Sequence, residues 1–157
     1  MRSLLACTFV AMLALATGHG AKPKCTVRAH VEANANDGAA FSSPLRSSVT
    51  GKNIVIEKVP TISENDVVAY RTYRATDGTY GVLFQLNDHG KLALDTLSVE
   101  RRGTFLYVFV NGRPAAELQI DRRVSDGKLY VASGLTAADI ELMKKQWPQI
   151  GAQKKGS

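Results

Sequence analysis

Cysteine is scarce in this chain. There are two, Cys7 and Cys25, and neither a disulfide framework nor a four-ligand zinc site can be assembled from them. Histidine is sparse as well: His19, His30 and His89 fall in separate segments without ligand-like spacing, so no metal-binding residue is assigned. No G-x-x-x-x-G-K-[ST] loop, G-x-G-x-x-G turn or G-x-S-x-G elbow occurs, which removes the usual phosphate cradle, dinucleotide turn and hydrolase nucleophile. Long like-charge runs are missing too. The 20 Lys and Arg outnumber the 14 Asp and Glu for a net charge of +6, but the cations come as pairs scattered among acids. A nucleic-acid surface needs clustered cations with interleaved aromatics, so solvated faces are the expectation and no nucleic-acid partner is assigned. Scattered positive charge of this kind attracts an anionic membrane surface only weakly.

The longest apolar run, Leu4 to Ala16, is too short to cross a bilayer, which takes about 20 residues. With Arg2 before it and small residues after it, the run reads as a secretory signal over residues 1–20, cleaved after Ala16, Gly18 or Gly20, with the last two favoured. Leu4, Leu5, Ala6 and Cys7 imitate a lipoprotein box, but no apolar stretch precedes them, which argues against lipidation. The expected mature protein is exported, periplasmic or extracellular, without a membrane span. Its one thiol, Cys25, reads either as an intermolecular bridge or exposed reactive group, or as an inert thiol in a disordered leader, the latter favoured.

Residues 21–52 are poor in large apolar groups. Thr26 to Val31 alternates as one edge strand, and the Asn, Asp, Gly, Ser and Pro that follow predict flexible loop through about Ser48. Regular patterning fills 53–150. Ile54 to Val59 is a strand stopped by Pro60, and Ile62, Ser63, Asp66 and Val67 carry a capping box with its hydrophobic staple. A strand from Val68 to Arg74 turns at Asp77-Gly78 into a second, Tyr80 to Leu86. Asn87 or Asp88 caps a helix with the stripe Leu92, Leu94, Leu97 and Val99, closed by Arg101, Arg102 and Gly103. Phe105 to Val110 is a buried strand that turns at Asn111-Gly112, followed by strands around Leu118 and Ile120 and from Leu129 to Ala132. Leu135, Thr136, Asp139 and Ile140 open a last helix with Ile140, Met143 and Trp147 on one face, and Pro148 ends it. Residues 151–157 are expected as a disordered tail. The order predicts an α+β fold: an antiparallel sheet of five or six strands with two helices on one face.

Chemistry is hard to find in this pattern. Asp88, Asp95 and Glu100 share the first helix, but Asp88 reads as a cap and Glu100 lies beside Arg101, so no pair of carboxylates with divided roles emerges. His30 and His89 read as exposed polar positions. No catalytic or cofactor-binding residue is assigned.

Ordered turn glycines and strand apolars carry a resemblance. Ser63 to Val67 matches a "t-x-x-D-[VI]" turn and Leu86 to Gly90 an "L-x-x-x-G" strand end. Gly103, Leu106, Val108, Val110, Asn111 and Gly112 match "G-x-x-L-x-[IV]-x-[VL]-[DN]-G". Ile120, Val124, Gly127 and Val131 follow in the closing pattern. From Ile62 to Trp147 the chain resembles the first periplasmic head domain of the SecD/SecDF protein-export subunits. It departs from the family's "A-P" before the second strand, where Glu117 and Leu118 stand. The resemblance implies a head-type α+β fold of ferredoxin-like flavour, and a non-catalytic module that binds polypeptide or another protein of the cell envelope, by strand addition at an open edge. The residues assigned to that binding are the hairpin Asn111, Gly112 and Arg113 and the pairs Arg101 with Arg102 and Arg122 with Arg123, facing an acidic partner. A secreted enzyme or enzyme inhibitor working through loops 33–52 or 76–79 is the other reading.

Overall fold

The computed structural model describes residues 24–34 and 36–152. The expected export signal, with Cys7 and His19, lies outside the described residues, as does the tail from residue 153.

The fold is α+β, built from antiparallel sheets and two helices. One four-stranded sheet has the order β4-β1-β7-β8, made of β1 (Val27–Val31), β4 (Ile62–Ser63), β7 (Phe105–Val110) and β8 (Arg113–Gln119). A three-stranded sheet has the order β5-β6-β9, made of β5 (Val67–Arg74), β6 (Tyr80–Leu86) and β9 (Lys128–Leu135). A two-stranded ribbon pairs β2 (Ser42–Arg46) with β3 (Asn53–Glu57). Helix α1 (Asp88–Glu100) follows β6, and α2 (Ala137–Gln146) follows β9. The strands therefore divide among three sheets instead of forming one of five or six.

The N-terminal segment is where the expectation needs most correction. β1 is an inner strand, flanked by β4 and β7, and its alternation sends Val27, Ala29 and Val31 into the core. Each of the two valines contributes about 1.5–3 kcal/mol when fully buried and Ala29 less, so β1 is held by packing that no local composition reveals. The polar stretch after it is not simply loop. Ser42 to Arg46 pairs with β3, and Pro44 is accommodated because β2 sits at the outside of a two-stranded ribbon. Glu117 on β8 fastens the ribbon's turn: its carboxylate accepts from the Ser47 hydroxyl (2.6 Å), the Ser48 hydroxyl (2.8 Å) and the Ser48 and Val49 N–H groups.

Both capping boxes form. Ser63 caps a single 3-10 turn (Glu64–Asp66), and Thr136 caps α2. Asn87 is the cap of α1, accepting from the Gly90 N–H. The buried stripe of α1 differs from the expected one. Gly90, Leu94, Leu97 and Ser98 face inward, whereas Leu92 is 66% and Val99 56% exposed. Leu92 and Leu94 are two positions apart, a turn of about 200° at 3.6 residues per turn, so one helix cannot bury both. The choice falls on Leu94 because Gly90, one turn earlier, lies against Asp66: a Cβ on Gly90 would meet Asp66 Cβ at 2.8 Å. Gly103 takes the left-handed φ of +90°, but two residues beyond the cap Arg101, where its N–H donates to Ile120 O.

The core joins β1, β5, β6, β7 and β9 with both helices around Tyr70, Phe84, Leu106, Val131 and Met143. After α2 the chain runs beside β5: Pro148 O accepts from the Tyr70 N–H, and the Ile150 N–H donates to Tyr70 O.

Candidate functional site

Asn111 and Gly112 make the tight turn that their residue types predict, with φ of +51° and +75°. Their side-chain chemistry is spent inward. Asn111 Oδ1 accepts from the Thr26 N–H at 3.1 Å, and its Nδ2 donates to Asp139 Oδ1 at 2.7 Å. Arg113 donates to Asp139 Oδ2 at 2.6 Å, where the Thr136 N–H and hydroxyl also donate, each at 2.8 Å. The hairpin thus ties the start of β1 to the N-terminus of α2. Burial acts to raise the Asp139 carboxyl, but the donations from Thr136, Asn111 and Arg113 outweigh it and hold the group below the usual carboxylate range.

Cys25 belongs to this same cluster. It is fully buried, in neither a leader nor an exposed position, and its N–H donates to Gln146 Oε1 at 2.8 Å. Burial first, and the Asp139 charge second, push its thiol up to about 12. It is an inert core thiol.

Two of the four paired arginines are held in ion pairs. Arg101 reaches back to Glu57 on β3 at 3.2 Å. Arg123 grips Asp95 of α1 with both nitrogens, at 2.6 and 2.8 Å. Arg102 and Arg122 have no ion-pair partner among the described residues. The histidines are likewise engaged. His30 is half-buried, donating from Nδ1 to Glu57 O at 2.7 Å and meeting Phe109 edge to face, and so is not an exposed polar position. His89, which is exposed, meets Asp66 Oδ1 through Nδ1 at 2.7 Å. Among the described residues no three His, Cys, Asp or Glu side chains converge as a metal site would require.

A concavity of about 650 Å³ lies elsewhere, in a gap between β8 and β9. These strands approach each other at one end, where a Cβ on Gly134 would lie 3.5 Å from Ala115 O, and part toward Gln119 and Lys128. The parting opens a view into the core, so that Leu94, Leu97, Leu106, Leu118, Ile120 and Leu129 line the gap. Of the residues singled out from the sequence, Arg122 and Arg123 stand at it, while Asn111, Gly112, Arg113, Arg101 and Arg102 do not. The segment between the strands is pinned down on α1 by the Arg123 grip and by the Val124 N–H, which donates to Ser98 Oγ at 2.9 Å.

Both strands flanking the gap end their sheets, so each presents unpaired backbone there. The Ile120 N–H donates to Thr104 O, so alternation turns Leu118 toward β7 and leaves the peptide groups of Glu117 and Gln119 facing outward. On β9, Gly127 O accepts from the Leu86 N–H, so the peptide groups of Lys128 and Tyr130 face outward. The Lys128 N–H is taken by Asp126 Oδ1 at 3.1 Å. Charge at the gap is balanced: Arg123 is neutralised by Asp95, Lys128 lies 3.6 Å from Asp126, and Arg122 follows Asp121. An acidic partner therefore has no special attraction to this place. The sequence signal for the gap was the polar run from Gln119 to Lys128, which places only Ile120 and Val124 where two strand ends need apolar filling.

No family model and no curated protein matches this sequence. Solved structures do match its fold. A structure of SecDF, described as a membrane component that enhances protein export, superposes with a TM-score of 0.53 at 13% identity, over 85% of this chain and 70% of that one. SecDF in a super-membrane-facing form gives 0.54 at 11% identity, over 79% of this chain and 19% of that one. The resemblance seen in the turn glycines and strand apolars thus holds at the level of fold, over most of the chain.

Proposed function

We propose that this chain is an exported, non-catalytic binding domain whose partner is a polypeptide, and that the gap between β8 and β9 is where the polypeptide is held. The observation that carries the reading is the coincidence of apolar lining with unpaired strand edges on both sides. A small-molecule pocket needs convergent polar groups to fix orientation, whereas a polypeptide site is served by main-chain groups beside apolar surface. The shared fold with SecDF, which enhances protein export, supports polypeptide as the partner class. Among the described residues no helix is long and apolar enough to cross a membrane, and the reading covers binding alone. It also moves the site away from Arg101, Arg102 and the Asn111 to Arg113 hairpin, whose polar groups are occupied or stand apart from the gap.

The test is photo-crosslinking with a photoreactive residue at Gln119 and, separately, at Arg113, using a reduced and carboxymethylated protein as a permanently unfolded probe. Crosslinking from position 119 that exceeds that from 113, and that falls when Leu118 is changed to Asp, supports the reading. Equal or absent crosslinking from 119 overturns it.

A further inference from the structure

We infer that the Arg122–Arg123 peptide bond is a site of limited proteolysis, where an endoprotease selective for arginine converts the protein into a two-chain form that stays assembled, whatever fills the gap.

Residues 121–126 connect β8 to β9 without helix or strand. Main-chain bonds stand on either side of them. Ile120 donates to Thr104 O and accepts from the Gly103 N–H, and Gly127 O accepts from the Leu86 N–H. Between these clamps no main-chain group bonds to another main-chain group of the described residues. What holds the segment is the Arg123 grip on Asp95, the bond from the Val124 N–H to Ser98 Oγ, and the packing of the Val124 side chain on the core. Asp121, Arg122, Arg123, Ser125 and Asp126 are exposed. An exposed segment whose peptide groups are free is where nicking concentrates, because an endoprotease must take those groups for itself.

The two arginines choose the bond. Arg122 has no ion-pair partner among the described residues and is free to enter an acidic specificity pocket, whereas Arg123 is held by Asp95 at 2.6 and 2.8 Å. Arg102 provides the contrast. It too is exposed and without an ion-pair partner among the described residues, but it sits inside a turn closed by the bond from the Thr104 N–H to Arg101 O, with the Gly103 N–H given to Ile120 O.

Hydrolysis adds one water across the amide. The C–N bond breaks, the carbonyl carbon takes the oxygen and becomes the Arg122 carboxylate, and the nitrogen takes both hydrogens and leaves as the Arg123 ammonium. The fragment that begins at Arg123 stays because it is woven through the other. Its β9 pairs with β6 at Phe84 with Leu129 and at Val82 with Val131, Met143 of α2 is fully buried, and the Ile150 N–H donates to Tyr70 O. Asp139 receives Asn111 and Arg113 from the other fragment. The cut thus divides the wall that the segment forms at the gap, while the core remains joined.

The experiment is limited digestion of the full chain with trypsin, read by mass spectrometry and gel filtration. The first cut between residues 25 and 152 is expected between Arg122 and Arg123. Its two products should co-elute under native conditions and separate in strong denaturant. Arg122→Gln, with circular dichroism unchanged, should abolish this cut, and Arg102→Gln should leave it as it is. Asp139→Asn, whose lost bonds lie outside the segment, should leave its rate unchanged. A rate that rises in that variant with the unfolding constant means that the bond is reached only in the unfolded chain, and overturns the inference. First cutting elsewhere, after Arg102 above all, overturns the site. A cut after Arg123 in place of Arg122 overturns the choice of bond, and fragments that part on cutting overturn the two-chain form.

Discussion

Replacing Asp139 with Asn changes neither the volume nor the shape of the side chain, yet it strikes a buried carboxylate that accepts four hydrogen bonds. Asp139 is 4% exposed and receives the Asn111 amide, the Arg113 guanidinium and both the N–H and hydroxyl of Thr136. In the variant an NH2 group must face one set of these donors. Loss of the reciprocal cap costs about 1 kcal/mol, and loss of a charge-assisted bond in a buried place about 1.5–3 kcal/mol. Arg113 is half exposed and adds only about 0–1 kcal/mol. The expected sum is roughly 3 kcal/mol, or a fall in Tm on the order of 10 °C for a domain of this size. Urea titration followed by circular dichroism measures it. The sign of the pH dependence adds a second constraint. The folded-state carboxyl is held below its unfolded value, so its contribution is complete above about pH 5 and is lost as the pH falls through the folded pKa. The gap between wild type and D139N should therefore be widest near neutrality and should shrink toward about pH 3. A difference below about 0.5 kcal/mol at pH 7, or one equally large at pH 3, refutes the assignment of these bonds to a charged, stabilising carboxylate.

Two further outcomes follow from residues placed differently than their types suggest. Leu92→Lys should change stability by no more than about 0.5 kcal/mol, whereas Leu94→Ala should lose about 2–5 kcal/mol in the same denaturation assay; a costly Leu92→Lys would restore the other stripe. The Cys25 thiol should stay unlabelled by a disulfide-exchange reagent in the native protein at pH 8 and react fully in strong denaturant, and rapid native labelling would contradict its burial and raised pKa.

What the sequence made legible was what is decided within a few residues. The boxes at Ser63 and Thr136, the turns at Asp77-Gly78 and Asn111-Gly112, and the stop at Pro148 each depend on groups that meet within one turn of chain. Decisions made at a distance were hidden. β1 is internal because it meets β7, about eighty residues on, and nothing in Val27 to Val31 distinguishes an inner strand from an edge. The face of α1 was settled by the approach of Gly90 to Asp66, not by its leucines. The site was the least legible part, because conspicuous polar residues such as Asn111 and Arg113 are internal fasteners. The gap is marked instead by a shortage of apolar side chains between two strand ends.

The bond from the Cys25 N–H to Gln146 Oε1 spans 121 positions, and the residues just past α2 lie beside β5. A chain that appears N-terminus first therefore produces β1 long before the partners that hold it. β4 reaches β1 first, but β1 becomes an inner strand only when β7 pairs its other edge and α2 closes over its start. Folding of this kind is governed by completion, so the finished domain is expected to appear late and in one step, after the residues around Trp147 have arrived.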